Sequence, residues 1–179
     1  AKSNNATTAK RVGDVVTYTI TLTIPEDTGV LHNPRVGDAP PTGFKYLSGS
    51  WTASSNLRGN LKPGVSTEPT YASPGVWRFN GFDFYYDEDE TVTNNAFYPG
   101  EVITLTYQTK IESNVTPGTY PDKALSIAFN TNNEEEQNKD TVVIANVQEE
   151  GDSPFVGTQV VVVTDTVPPT LVNTGSSAL

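Results

Sequence analysis

The side chains of this sequence that could do chemistry are mostly carboxylates. Its 179 residues include 21 Asp and Glu against 11 Lys and Arg, with one histidine and no cysteine. Carboxylate oxygens suit Ca²⁺, and five of them crowd one stretch, at Asp83 and Asp87–Glu90. That stretch lacks the glycine-centred spacing of a calcium loop, so a solvated acidic rim is the simpler interpretation. Paired acids also serve glycosidases, but in so acidic a chain a pair alone indicates nothing.

Missing and rare residue types exclude several classes of function. Without cysteine there is no disulfide framework, thiolate zinc site or cysteine nucleophile, and His32 alone cannot supply a two-histidine mechanism. A formal net charge of −10 argues against nucleic acid and anionic membrane surfaces as partners, because both need a basic patch. No apolar run approaches the roughly 18 residues of a membrane helix. No signal peptide is visible, so we expect a mature or excised fragment without membrane insertion. The sequence calls for no metal and no other cofactor.

The elements that must position any site are β-strands. Residues 15–24 and 102–111 alternate between apolar and polar side chains, as half-buried strands do. The predicted inward faces are Val16, Tyr18, Ile20, Leu22 and Ile24 in the first, and Ile103, Leu105, Tyr107, Thr109 and Ile111 in the second. Further strands are expected at 44–52, 76–86, 119–130 and 141–148. Because no stretch shows helical spacing, the predicted class is all-β.

Composition also predicts how the chain is divided. Residues 53–75 are rich in Ser, Asn, Gly and Pro and are expected to form a long loop on the rim. After Val147 the composition changes, which favours one domain over 1–148 and an appendage over 149–179. Within the appendage, TQVVVVTD (158–165) reads as a short strand that buries too little alone. It should add to a sheet edge, either in its own domain or in a neighbouring molecule.

Three ordered blocks give the sequence a family resemblance. They are RVGDVVTYTITLTIPEDTG (11–29), VGDAPPTGFKYLSGS (36–50), and YPGEVITLTYQTKIE with TPGTYPDKALSIAF (98–112 and 116–129). Together they resemble the fimbrial isopeptide-forming domain and the similar conserved surface repeat of bacterial cell-wall proteins. The resemblance covers roughly 1–148. It implies an immunoglobulin-like β-sandwich of the collagen-adhesin type, with the C-terminal strand and tail as additions.

That family implies a specific reaction. Many members close a spontaneous amide bond between a Lys on the first strand and an Asn or Asp on a late strand, assisted by a nearby acid. By this resemblance Lys2 and Asp122 are the cross-link residues and Asp38 is the assisting acid. Asp122 stands where the family usually has Asn, so the leaving group would be water rather than ammonia.

The chemistry needs a buried setting. An ammonium is not a nucleophile, and burial among apolar side chains favours the neutral amine. Burial also favours a neutral carboxyl, so a protonated Asp38 would polarise the Asp122 carbonyl and shuttle protons. The alternative stays open that Lys2 is a solvated terminal residue and that both aspartates are turn residues. Lys10 is a competing lysine.

The C-terminal tail carries a second resemblance. TLVNTG (170–175) is similar to the LPxTG sorting signal, with Val172 in place of Pro. A sortase would then be a partner and would cut between Thr174 and Gly175. The alternative is a chance match within a polar terminus.

These features predict a non-enzymatic structural domain of a bacterial surface protein, a pilin-like subunit or adhesin stalk. It would lie outside the cell, on the surface or in the cell wall. Its partners would be other copies of itself or neighbouring domains of a surface fibre, and not nucleic acid. The alternative is a ligand-binding adhesin head for a carbohydrate or host protein, using the 53–75 loop or the aromatic side chains of 77–86.

Overall fold

The computed structural model of the chain describes residues 1–63, 68–72, 76–79, 82–83, 96–129, 141–146 and 158–164. All regular elements in these ranges are β-strands, and none of the described residues forms a helix long and apolar enough to cross a membrane. The strands are β1 (Lys2–Asn4), β2 (Val15–Thr23), β3 (Leu31–Ala39), β4 (Phe44–Tyr46), β5 (Thr52–Ser55), β6 (Gly59–Pro63), β7 (Thr70–Ala72), β8 (Val76–Phe79), β9 (Phe82–Asp83), β10 (Ala96–Phe97), β11 (Val102–Ile111), β12 (Gly118–Phe129), β13 (Thr141–Asn146) and β14 (Thr158–Val162). The predicted all-β class is confirmed.

Over the described residues, the strands form two seven-stranded sheets. The first has the order β1-β2-β11-β5-β6-β9, with β4 also pairing with β11. The second has the order β13-β12-β3-β8-β7, with β10 on β3 and β14 on β12. Because sequential strands often belong to different sheets, the chain crosses repeatedly between the two layers. Residues distant in sequence therefore meet between the sheets.

The pairing of β2 with β11 lies at the centre of the first sheet. These strands run antiparallel from Thr23 opposite Val102 to Val15 opposite Lys110. Both predicted inward faces are confirmed, because every residue assigned to them is buried. The threonines that point away from the core, such as Thr104 and Thr106, are only partly covered, as β-branched polar residues on an outer face should be.

Aromatic side chains join the two sheets across the core. The ring of Phe79 on β8 lies 5.1 Å from that of Tyr107 on β11, and Trp77 lies 5.0 Å from Tyr46 on β4. Offset and tilted aromatic contacts of this kind add stability beyond the area that they bury. The interior is therefore a sandwich core, and its aromatic centre lies next to the C-terminal end of β3.

The turn after β3 depends on one glycine. Gly43 has a φ of +84°, and a Cβ at this position would lie 2.3 Å from Cγ2 of Val115. Only glycine combines this left-handed backbone with so close an approach. The turn carries the chain from the second sheet to β4 in the first sheet, which keeps β3 and β11 facing each other.

A buried ion pair closes the opposite end of the first sheet. Glu101 is fully buried, and one of its oxygens lies 2.6 Å from Nε of Arg58 while also accepting from the Ser55 hydroxyl. Its other oxygen accepts from the backbone N–H of Tyr98 at 2.9 Å. Each carboxylate oxygen thus has a donor, which is the condition for burying a charge at tolerable cost.

The expectation of one long loop over 53–75 is wrong. The segment contains most of β5, all of β6 and β7, and inward side chains at Ala53 and Leu61. These strands are short and carry few apolar residues, so their composition resembles that of a loop. One or two buried residues, as in β5 and β6, are enough when the backbone pairs with an existing sheet edge.

β14 adds to a sheet of its own chain. It pairs antiparallel with the first half of β12, from Gly118 opposite Val162 to Asp122 opposite Thr158. Val160 and Val162 are buried in the core. On its other side, the backbone of Lys10 donates to Val161 and accepts from Val163. The domain boundary near 148 stays a prediction.

Candidate functional site

Lys2 enters the core from the edge of the first sheet. It pairs with Ile20 in register, and the alternation of β1 places Ser3 outside and Lys2 inside. Its side chain is only 1% exposed. The preceding residue is anchored, since the Ala1 ammonium donates to the Thr21 carbonyl at 2.6 Å and the Ala1 carbonyl accepts from the Thr21 N–H at 2.8 Å. The alternative of a solvated terminal lysine is therefore wrong.

Asp38 and Asp122 enter the same space from the second sheet. Asp38 lies near the end of β3, opposite Ala124 of β12, and Asp122 lies two residues earlier on β12. Both carboxyls are buried, with 1% and 0% of the residue exposed. Neither is a surface turn residue. The pairing of β12 with β13 shifts register between Ser126 and Ile127, so the alternation of β12 cannot be read straight through from sequence.

The three residues chosen from the resemblance meet at one point. The Lys2 ammonium contacts Oδ1 of Asp38 and lies 2.5 Å from Oδ2 of Asp122. Asp38 follows Lys2 by 36 positions in the chain and Asp122 follows it by 120, yet both carboxyls meet the same amine between the two sheets. The arrangement places the Lys2 nitrogen beside the carboxyl group of Asp122, with the carboxyl group of Asp38 next to it.

Asp38 is held as a hydrogen-bond acceptor. Oδ1 takes the Lys2 contact and the N–H of Ala39 at 3.1 Å, and Oδ2 accepts from the Tyr107 hydroxyl. Burial raises the pKa of this carboxyl, while Lys2, Tyr107 and the Ala39 N–H oppose that rise by favouring the ionised form. A carboxylate whose pKa is raised is a stronger base than one in water.

Two tyrosines wall the site on the side of the first sheet. Tyr18 and Tyr107 are paired across β2 and β11, with ring centroids 5.2 Å apart and planes at 21°. The Lys2 ammonium lies 4.9 Å from the centroid of the Tyr18 ring, a cation–π distance. Burial raises the pKa of both phenols, with the neighbouring carboxyls adding to the effect, so both stay protonated. Their hydroxyl groups on an inward face are the sequence feature that could have assigned them to the site.

The C-terminal strand borders the site. Thr158 of β14 lies opposite Asp122. The side-chain amide of Asn4, two residues after Lys2, contacts the Thr158 hydroxyl and donates to the carbonyl of Gln159 at 3.1 Å. Both strands that carry the predicted cross-link residues are thereby tied to β14.

Of the remaining sequence candidates, the structure describes Lys10 and part of the aromatic segment 77–86. Lys10, the competing lysine, is tied by its backbone to Val161 and Val163 of β14. Phe79, one of the aromatic residues proposed for a ligand platform, is fully buried. The side chains of Asp83 and Asp87–Glu90, and the residues Thr174 and Gly175, lie outside the described residues. Among the described side chains no group of three or more His, Asp or Glu could hold a metal ion.

Comparisons with known proteins agree on the fold. No family model matches the sequence, and no curated protein matches it. Among solved structures, the major pilin SpaA of Corynebacterium diphtheriae matches with a TM-score of 0.52 and 15% identity, over 89% of this chain and 36% of that one. Its structure is described as pointing to a modular pilus assembly with stabilising isopeptide bonds. That likeness confirms the immunoglobulin-like sandwich.

Two further matches are of the same kind. The pilus backbone protein RrgB of Streptococcus pneumoniae has a TM-score of 0.49 and 15% identity, over 74% of this chain and 31% of that one. The collagen-binding subdomain of the Enterococcus faecalis surface protein ACE has a TM-score of 0.49 and 10% identity, over 90% and 94%. The chain thus spans about a third of the length of the two pilus proteins that it matches.

Proposed function

We propose that this chain is a non-enzymatic structural domain of a bacterial surface protein, a pilin-like subunit or adhesin stalk, braced by an internal amide between Lys2 and Asp122. The single observation that supports it is the buried Lys2 ammonium held between two carboxyls of the opposite sheet. A lysine that served only solubility would keep its charge in water, because burying it is costly.

The reaction is a condensation. Lys2 gives a proton to Asp38, and the neutral amine attacks the carboxyl carbon of Asp122. The N–C bond forms, one oxygen of Asp122 leaves with two hydrogens as water, and the product is a secondary amide. Holding the reactants in contact supplies much of the rate, since a well-oriented pair behaves as if its effective concentration were very high. Asp38 is the assisting acid, as the resemblance implies, but it begins as the ionised acceptor of the Lys2 proton and not as the protonated acid expected from the sequence.

The bond would join the two layers of the sandwich. Lys2 belongs to the first sheet and Asp122 to the second, so the amide would fasten sheet to sheet. A chain without cysteine has no disulfide for this purpose. An internal amide would give a surface domain the covalent reinforcement that disulfides give other exported domains.

The test is the mass of the intact protein. We expect a value about 18 Da below that calculated from the sequence, because one water is lost. Trypsin should release a branched peptide joining residues 1–10 to residues 111–123, uncut at Lys2. Asp122→Ala should restore the calculated mass, while Lys10→Met should keep the deficit. A wild-type protein at its calculated mass would refute the amide.

The partners remain part of the proposal. The chain would work outside the cell, next to other copies of itself or to neighbouring domains of a fibre, as expected of a domain that spans about a third of longer pilus proteins. A sortase acting on the tail would cut between Thr174 and Gly175. Incubating the protein with a sortase and a glycine peptide, and measuring the mass of the products, tests this directly. A tail that stays intact would exclude it as a substrate.

A further inference from the structure

The charges of the site do not balance if both carboxyls are ionised. One ammonium between two carboxylates carries a net charge of −1 in a space where each of the three side chains is at most 1% exposed. Two neighbouring carboxylates in low dielectric rarely ionise together. One added proton makes the site neutral, and the chemistry depends on which aspartate carries that proton.

The hydrogen bonds place the negative charge on Asp38. Both of its oxygens accept, from the Lys2 ammonium, the Ala39 N–H and the Tyr107 hydroxyl. Three donors on one carboxylate favour its ionised form, and a proton on either oxygen would disrupt one of these contacts. Tyr107 keeps its own proton because burial raises the pKa of its hydroxyl well above the usual range. With Asp38 ionised, a neutral site has its added proton on Asp122, and a carboxylic acid is a better electrophile than a carboxylate.

We propose that Tyr107 is a positioning residue of the condensation, which holds Asp38 ionised and turned toward Lys2 as the acceptor of its proton. The inference rests on the proposed function and deepens it. Tyr107 donates to Oδ2 and so leaves Oδ1 for the amine. Neither the resemblance nor the spacing of the sequence assigns a role to this tyrosine.

Atoms and charges balance in this scheme. The start is a Lys2 ammonium, an Asp38 carboxylate and a neutral Asp122 carboxylic acid. The ammonium loses a proton to Asp38, the amine attacks Asp122, and the carboxyl oxygen departs as water with one further nitrogen hydrogen and the acid hydrogen. The end is a neutral amide, a neutral Asp38 and one water. The reaction thus removes every buried charge from the site, which favours the product.

The test compares two tyrosines of the aromatic core. Tyr107→Phe keeps the ring and removes the donor to Asp38. Tyr46→Phe is the matched control, because the Tyr46 ring packs against Tyr107 with centroids 6.2 Å apart while its hydroxyl donates to Glu68 at 2.8 Å and to neither carboxyl of the site. Full-length chains are recovered unfolded in urea, checked for the unreacted mass, and diluted into buffers from pH 5 to 9. Aliquots are quenched in acid and the fraction that has lost water is read by mass spectrometry.

We expect Tyr107→Phe to condense about ten-fold more slowly, the usual effect of losing one hydrogen bond to a charged group. The groups that face Asp38 are Lys2, Asp122, Tyr18 and Tyr107, and only the last changes. Without its donor the pKa of Asp38 rises further, so the acid limb of the rate profile should move to higher pH. The alkaline limb and the Tyr46→Phe profile should stay in place.

Two outcomes separate this inference from the proposed function. A wild-type chain that never loses water refutes the amide, and the role of Tyr107 with it. A wild-type chain that condenses while Tyr107→Phe matches its rate and pH profile refutes only the role of Tyr107. Should Tyr107→Phe fail to fold, difluorotyrosine placed at 107 alone gives a stronger donor. It should shift the acid limb to lower pH, and an unmoved limb would overturn the inference.

Discussion

Replacing Lys2 with methionine should cost the domain a large part of its stability. Lys2→Met keeps an apolar stem against Tyr18 and removes the amine, so no amide can form. The bond would close a loop of 120 residues, which in the loop-entropy account contributes about 5 kcal/mol to the free energy of unfolding. For a domain of this size that corresponds to a fall in Tm of about 10–20 °C.

The pH dependence of Lys2→Met gives a second, independent readout. Burial raises the pKa of Asp38, and the variant loses the ammonium that opposes this rise. The folded pKa then lies above the unfolded one, so the native state binds more protons. The contribution of protonated Asp38 to stability is complete below the ordinary pKa of an aspartate, about 4, and is lost as pH rises through the pKa of Asp38 in the folded protein. Lys2→Met should therefore be more stable at pH 5 than at pH 8.

The assay is chemical denaturation of both proteins at pH 5 and at pH 8, with intact masses measured on the same samples. Lys110→Met is the control, because Lys110 is exposed and its loss should change stability by less than about 0.5 kcal/mol. A Lys2→Met protein that unfolds within about 2 °C of wild type would refute the bracing. A Lys2→Met protein whose own stability does not fall from pH 5 to pH 8 would refute the buried state of Asp38.

Three further substitutions test the packing around the site. Gly43→Ala should lower the free energy of unfolding by about 2 kcal/mol, measured by urea denaturation, because alanine meets a positive φ and a steric clash there. Glu101→Ala should cost about 3–5 kcal/mol, because it removes the buried carboxylate partner of a guanidinium that is only 14% exposed, while the exposed Glu112→Ala should cost almost nothing. Val160→Ala should cost about 2 kcal/mol, because Val160 is buried, and Val161→Ala should cost less than about 0.5 kcal/mol, because Val161 is 41% exposed. Equal losses of stability in the two variants would contradict the docking of β14 on the core.

Local patterns were enough for the strands that alternate cleanly. Every second residue of 16–24 and of 103–111 is buried as its spacing predicts, because a half-buried strand needs apolar groups only on one face. The pattern failed over 53–75, where the short strands β5 and β6 carry only one or two buried residues each. In those strands the backbone pairing with a neighbour decides the structure, and pairing leaves little trace in composition.

The site itself could be predicted only in part. The resemblance selected Lys2, Asp38 and Asp122, and the structure brings all three together. It could not select Tyr107, whose role depends on a contact between β11 and β3 across the sandwich. In sequence this tyrosine is one more inward residue of an alternating strand. The partner of β14 was likewise open, because a hydrophobic strand shows that it must pair but not with what.

The ties between β14 and the first residues of the chain bear on when the fold is completed during synthesis. Asn4 contacts Thr158 across 154 positions, and Lys10 pairs with Val162. The ribosome releases the N-terminal strand first and β14 well over a hundred residues later. Contacts this distant in sequence are slow to form. The nascent chain therefore cannot finish the wall beside Asp122 until almost all of the described sequence has emerged, so this edge of the core closes last.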